Sequence, residues 1–341
     1  MKKRVNIKFW LGIGVSVFFM ALLFRRIDFS QLAAALRTVD YRFIVLAVLS
    51  TFVSYFLRAV RWRYLLIPEK PIPLSSLYPA TIIGYMANNL LPARLGEFVR
   101  AHVLARREGL ETPAVFASLV IDRLLDGFTV LLMLLTTMFT LRLPQGMADA
   151  ATALRVGGVA MFLLYLGVLI FLLLLKRQTM RTLAFVGWLL RPFPQGISER
   201  LIPLFGSFIS GIRMSAKGGH IAAMLVTSLL VWTFAVLPVD FVLQGFGIHL
   251  PISAAMFIMV LLVFAVMVPA SPGFIGTYHY ACFKGLSAFG IADSVSVSIA
   301  LVIHAVGFFP VIIAGLYHLW KEGLSLHALE AASHDKANET A

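Results

Sequence analysis

Long apolar runs recur along the whole chain, and that pattern constrains the fold more than anything else in the sequence. They fall at residues 9–24, 43–57, 76–91, 111–141, 155–175, 220–246, 252–268 and 294–320. Apolar stretches of about 20 residues span a bilayer as helices, because lipid cannot satisfy an exposed peptide group. Composition agrees: 60% of the 341 residues are hydrophobic, 13% are charged and the mean hydropathy is +0.90. A soluble domain carries roughly twice that share of charge. The expectation is an all-α, polytopic integral membrane protein. Residues 1–320 read as one transmembrane domain and 321–341 as a polar cytoplasmic tail.

The net charge of +13 does not point to nucleic acid, since Lys and Arg flank apolar runs rather than forming a basic stripe with interleaved aromatics. Cys282 is the single cysteine, which excludes an internal disulfide and any multi-cysteine metal site. No cofactor motif and no P-loop is read. The start MKKRVNIKFW resembles a signal peptide, but Arg25 and Arg26 close the run without a small-residue cleavage site. A retained first helix is therefore expected. Residues 27–42 and the polar interval 176–219 read as amphipathic pieces at the membrane surface.

Orientation follows from the basic residues. Residues 2–8, 58–70 and 94–107 carry four each and 176–217 carry seven, whereas 142–155 carry two and 247–251 none. Basic connections favour the cytoplasmic side of a plasma (inner) membrane, which puts both termini inside. Residues 25–42, with four Arg, run against this rule. If 58–76 and 94–110 are both cytoplasmic, residues 77–93 do not cross. About 15 helical residues reach roughly 22 Å, short of a ~30 Å hydrocarbon core. Residues 77–106 should dip in, break at Pro92 and return. Residues 252–290 should do the same from the other face, breaking at Pro269–Gly273. The expectation is about six full transmembrane helices plus two re-entrant hairpins in an inverted arrangement, a plan that builds midplane sites in transporters.

The polar residues cluster at those breaks. In NNLLPARLGEFVR (88–100), Asn88 and Asn89 can bond freed backbone groups, Pro92 ends a half-helix and Gly96 permits close backbone approach. Arg94, Glu97 and Arg100 are spaced to share one side of the second half-helix, where an arginine fork suits phosphate and Glu97 can steady an arginine. An ordinary cytoplasmic loop with a solvated ion pair is the competing reading. PASPGFIGTYHY (269–280) supplies Pro269, Pro272, Gly273 and Gly276 as breaks, and Ser271, Thr277, Tyr278 and His279 as polar groups. An extracytoplasmic turn between full spans competes there, and a structural histidine competes with His279 as a proton carrier.

IDRLLDG places Asp122 and Asp126 on one helix face with Arg123 between them. Carboxylates at such depth need partners, and arginines from 58–63 or 94–100 are the candidates. A metal or hydrolytic dyad is disfavoured, because no histidine or further carboxylate sits at useful spacing. Arg58 and Arg61 either anchor the interface with Trp62 or face inward toward a lipid phosphate. His304 reads as helix–helix glue. Thr112 is the expected N-cap of the helix over 111–141, with Pro113 at its first position.

Together the motif N-x-L-L-P-x-R-x-G-E-x-x-R at 88–100, P-x-S-P-G-x-x-G at 269–276, the Arg-Trp pair at 61–62 and D-R-x-x-D at 122–126 resemble a known family. It is the flippase-like family formed by the transmembrane region of lysylphosphatidylglycerol synthases. The resemblance covers about residues 9–320. It implies a bacterial or archaeal membrane protein that moves or handles a lipid with a charged or glycosylated headgroup. These 341 residues contain no soluble aminoacyl-transfer domain, so the synthase activity is not carried over. Thr277-Tyr278-His279 stand where some members have an acidic residue, a departure that bears on headgroup preference. The first functional expectation is a non-enzymatic lipid translocase whose partners are membrane lipids with anionic or lipid-linked headgroups, alongside envelope-lipid biosynthetic enzymes. The alternatives are a membrane glycosyl- or acyl-transferase using a polyprenyl phosphate or phospholipid, and a non-transporting accessory subunit of envelope lipid assembly.

Overall fold

A computed structural model describes residues 37, 39–67, 70–91, 95–141, 156, 158–160, 162–167, 218–267 and 272–323. Their regular structure is helical throughout, with no strand among the described residues. The chain runs α1 (Tyr41–Leu66), α2 (Leu74–Leu90), α3 (Gly96–Glu108), α4 (Thr112–Thr140), α5 (Gly218–Gly245), α6 (Ile252–Met267), a 3-10 turn (Pro272–Phe274), α7 (Thr277–Ser287) and α8 (Asp293–Lys321). Helices α1, α5 and α8 are long and apolar enough to cross a bilayer. With 29 residues, α4 is as long as α8 but carries Asp122, Arg123 and Asp126 within its apolar run. The expected first helix at 9–24, most of the run at 155–175, the surface pieces at 27–36 and 176–217, and the tail from 324 lie outside the described residues.

Helices α1 and α5 form the longest contact in the molecule. Three pairings fix their direction. The Asp40 N–H donates to the Gly245 carbonyl (2.8 Å), Ser54 Oγ donates to the Val231 carbonyl (2.9 Å), and the Tyr64 ring lies near His220. The start of α1 therefore meets the end of α5, and the two run antiparallel. Ala47, Ser50, Thr51 and Ser54 keep the buried face of α1 narrow enough for this approach.

Each member of that pair is followed by a hairpin. The first is α2–α3, whose two ends meet where Lys70 Nζ donates to the Glu108 carbonyl (3.0 Å) and carboxylate (3.1 Å). The second is α6–α7, closed at its base by the Phe257 and Phe289 rings, 6.0 Å apart. Because α1 and α5 are antiparallel, the hairpins start from opposite ends of the bundle. Helices α2 and α3 have 17 and 13 residues, α6 and α7 have 16 and 11. At 1.5 Å per residue none exceeds about 26 Å. A long helix follows each hairpin, α4 after the first and α8 after the second. Helix α8 packs against both α2 and α7, so it ties the hairpins together.

Two expectations change. The basic cluster at 58–63 is not a loop, because α1 continues without a break to Leu66. Arg58 and Arg61 lie inside the helix and are buried, so they report ion pairing rather than membrane orientation. Arg63, Lys70, Arg106 and Arg107 are exposed and remain at one end of the bundle. The N-cap of α4 is Glu111 rather than Thr112, so Pro113 stands at the second helical position and not the first. Thr112 already has helical geometry there, which leaves the extended conformation of a cap to the residue before it.

Candidate functional site

The site is a buried ion-pair cluster where α1, α3, α4 and α5 meet. Asp122 and Asp126 are one turn apart on α4, and both are buried. Arg61 bridges them: Nε donates to Asp122 Oδ1 and Nη2 to Asp126 Oδ1, each at 2.8 Å. Its Nη1 donates to Ser228 Oγ on α5 (3.1 Å). Arg58, one turn earlier on α1, donates from Nη1 to Asp126 Oδ2 at 2.7 Å. Trp232 Nε1 donates to Asp126 Oδ1 (3.1 Å). Arg100 on α3 donates from Nη1 to Asp122 Oδ2 (3.1 Å) and stacks its guanidinium 4.0 Å from the Trp62 ring centre. The proposed partnership of the aspartates with arginines from 58–63 and 94–100 is what the structure contains.

Burial explains the geometry. An unpaired charge in a medium of low polarity is expensive, so each oxygen of Asp122 and Asp126 accepts at least one charge-assisted hydrogen bond. The balance is still uneven. Among the described residues, Arg58, Arg61, Arg100 and Arg123 face Asp122, Asp126 and Glu97, four cations against three anions. Arg100 is 1% exposed, yet its Nε and Nη2 have no hydrogen-bond partner, and neither does Glu97 Oε2.

One edge of the cluster is open. The Arg123 side chain is 39% exposed although it is the twelfth residue of the 29-residue α4. That places it about 17 Å along the helix axis. It bonds Glu97, donates to Asp126 Oδ2 (3.1 Å) and to the Tyr85 hydroxyl (3.2 Å). Glu97 therefore steadies Arg123, not an arginine of its own half-helix, because Arg100 turns inward to Asp122. The Tyr85 ring also faces Arg58 at 5.4 Å and packs on Tyr55 at 4.7 Å.

The tip of the first hairpin is held as the motif suggested. Leu91 leaves α2 in an extended conformation, as a residue before proline prefers. Asn88 Oδ1 accepts the free Gly96 N–H at the start of α3 (2.9 Å), and its Nδ2 donates to Glu97 Oε1 (3.3 Å). A Cβ on Gly96 would run into the Gly84 carbonyl and the Asn88 side chain, and one on Gly84 would lie 2.7 Å from Arg100 Cβ. These two glycines let α2 and α3 cross close enough to deliver Arg100. Asn89 is half-buried; Pro92 and Arg94 lie outside the described residues.

At the second tip the groups are different. Gly273 (φ +76°), Phe274 (φ +56°) and Gly276 (φ +97°) reverse the chain. His304, the twelfth residue of α8, holds the Gly273 carbonyl through Nε2 at 2.8 Å, so the expected helix–helix glue joins α8 to the break. The Gly276 N–H points to His279 Nδ1 (3.4 Å), and Thr277 Oγ1 donates to the Phe274 carbonyl (3.3 Å). The rings of Tyr278 and His279 lie 4.9 and 4.6 Å from His304. Pro269 and Ser271 lie outside the described residues, and Pro272 opens the 3-10 turn. Sequence reasoning passed over Tyr55, Tyr85, Ser228 and Trp232. The available signal was a polar tip on an otherwise apolar run, which is weak because such residues also anchor interfaces. No group of three metal-ligating side chains occurs among the described residues.

Long apolar helices closed around a paired ionic core define an α-helical membrane protein. The chain belongs to the family described as the lysylphosphatidylglycerol synthase TM region, whose model matches residues 9–315. It is similar to a protein named glycosyltransferase AglD from Haloferax volcanii, 27% identical over 92% of this chain and 54% of that protein. The chain thus spans about half the length of that relative. It is also similar to UPF0104 membrane proteins of Methanothermobacter thermautotrophicus (24% identical, 89% of this chain and 92% of the relative) and Pyrococcus horikoshii (22%, 89% and 94%). No solved structure matches.

Proposed function

We propose that the protein is a lipid translocase of the inner membrane that takes an anionic, phosphate-bearing headgroup between its two hairpins. In this reading α2–α3 and α6–α7 are re-entrant hairpins entering from opposite faces, six further helices cross fully, and both termini are cytoplasmic. The observation that carries it is the half-exposed Arg123, deep in an apolar helix, at the edge of a cluster with four arginines against three carboxylates. A phosphodiester has one negative charge and acceptor oxygens that fit a guanidinium fork. It would balance the cluster. Arg123 and Glu97 would meet the headgroup, with Arg58, Arg61, Arg100, Asp122 and Asp126 holding the field behind them and Asn88 fixing the tip. Asn89 and Arg94 belong to the same motif, and Thr277, Tyr278, His279 and Ser271 to the opposite wall.

The test is headgroup exchange between leaflets of reconstituted vesicles. Arg123→Ala should lose exchange at least tenfold while the protein still inserts and melts near the wild-type temperature, and Arg123→Lys should recover part of it. Exchange unchanged in Arg123→Ala would remove the cluster from the mechanism. The relative named a glycosyltransferase favours a second reading, transfer onto a lipid phosphate. Product formed by purified protein from labelled lipid and sugar donor would establish it. Envelope-lipid biosynthetic enzymes are the partners either reading implies.

A further inference from the structure

The two hairpin tips differ in charge, and this has a consequence for any anion that passes between them. The first tip has arginines. Among the described residues the second has none, and its only cation, Lys284, is exposed beside the Tyr280 and Phe283 rings. An anion leaving Arg123 for the second tip would lose its counter-charge in a medium where an unpaired charge is costly. The groups at that tip able to gain a positive charge are His279 and His304.

We propose, building on the translocase reading, that His279 and His304 form a proton-binding site that supplies this counter-charge, so that one proton moves with the headgroup. The hydrogen bonds assign the parts. The Gly273 carbonyl only accepts, so His304 Nε2 carries hydrogen and His304 Nδ1 is the basic nitrogen. The Gly276 N–H donates to His279 Nδ1, so His279 Nε2 carries hydrogen. That Nε2 is buried without a partner on a residue 3% exposed. It is a donor in reserve for a phosphate oxygen. The proton adds to His304 Nδ1, beside the His279 ring, and no covalent bond is broken.

Among the described residues no charged side chain bonds either histidine. On α7 the neighbouring ionisable groups are Tyr278 and the buried thiol of Cys282. Helix α6 has no ionisable side chain. On α8 the nearby acid, Asp293, accepts from Ser287 at the base of the hairpin (3.5 Å), and Phe308 covers His304 at 5.1 Å. From α1, Tyr55 packs on Tyr85 of α2. The Tyr278 ring lies beside His304, and the Tyr85 ring faces both Arg58 and Arg123.

The experiment is calorimetric titration of the purified full chain in detergent with dihexanoyl phosphatidylglycerol, at one pH in two buffers of different ionisation enthalpy. Binding linked to protonation gives a buffer-dependent heat equal to about one proton per lipid in the wild type. His304→Gln keeps a donor for the Gly273 carbonyl but has no basic nitrogen, and should bind the lipid with no uptake. His279→Gln should reduce both affinity and uptake. Lipid binding by the wild type without buffer-dependent heat would overturn the proton site and leave the headgroup reading intact. No binding by the wild type would overturn both. Uptake that persists in His304→Gln would overturn the assignment to the histidines.

Discussion

The two hairpins solve one problem with different chemistry. Each breaks at a proline- and glycine-rich tip, and each must satisfy the peptide groups that the break frees, since a buried unpaired N–H or carbonyl is costly. In the first, a side chain does so: Asn88 accepts the Gly96 N–H, and charged groups follow directly behind it. In the second, His304 reaches across from α8 to the Gly273 carbonyl, the Gly276 N–H donates to His279 Nδ1 and Thr277 Oγ1 donates to the Phe274 carbonyl, around a left-handed turn and with no charged group among them. In both cases the twelfth residue of the long helix that follows reaches the hairpin, Arg123 at the Glu97 carboxylate and His304 at the Gly273 carbonyl. The first tip is therefore backed by permanently charged side chains, and the second by two histidines.

The comparison breaks most severely at the ion pairs. Asp122→Ala leaves Arg100 without its buried carboxylate and Arg61 with Asp126 alone, and should cost about 3–5 kcal/mol. The expected result is loss of folded, monodisperse protein in detergent, read by thermal melting. Gly96→Ala comes next. Its Cβ meets backbone at the Gly84 carbonyl, which cannot swing aside, so about 1–3 kcal/mol is expected together with displacement of Arg100. Gly273→Ala tests the second tip in the same way. A left-handed φ costs an L-residue about 1–2 kcal/mol, and the contact it makes is the Phe308 ring edge, which can move. If Gly273→Ala proves more damaging than Gly96→Ala, the first tip is not the more tightly packed one. Asn88→Ala should cost about 1–3 kcal/mol by leaving the Gly96 N–H unpaired, and Asn88→Asp should not restore the loss, because its carboxylate would face Glu97 Oε1 where the Asn88 Nδ2 donates.

The smallest effect lies at the base of the first hairpin. The Ser76 hydroxyl, and after it Lys70, hold the Glu108 carboxyl below its usual value of 4.5. A lowered value in the fold means that this contact stabilises above pH 4.5 and is lost as the pH falls through the folded value. Glu108→Gln should therefore lower the melting temperature slightly at pH 7, and the difference from wild type should disappear in acid. A difference that persists in acid would show that Glu108 acts through packing and not through its charge.

Much of this was legible beforehand. Apolar run length gave the helices, and Pro92 and the prolines at 269–272 gave the breaks, because proline removes a donor at a defined residue. The aspartate pair announced a need for cations, since charge inside an apolar helix has to be matched. Arg58 and Arg61 misled, because a basic cluster after an apolar run looks alike whether the helix has ended or continues inward. Trp232 and Ser228 were silent, since nothing local marks which face of an apolar helix meets a carboxylate 100 residues away.

The sequence by itself determined where the helices run, where they are interrupted and that acidic and basic groups lie within them. Those are local properties, set by hydrophobicity, by the proline ring and by desolvation of charge. Only the tertiary structure decided which arginine meets which aspartate, that Glu97 serves Arg123, and that one histidine holds a broken turn while its neighbour keeps a nitrogen unused. Pairing depends on the antiparallel register of α1 against α5 and on two glycines that let α2 and α3 touch. These are distances between segments far apart in the chain, and no local pattern records them.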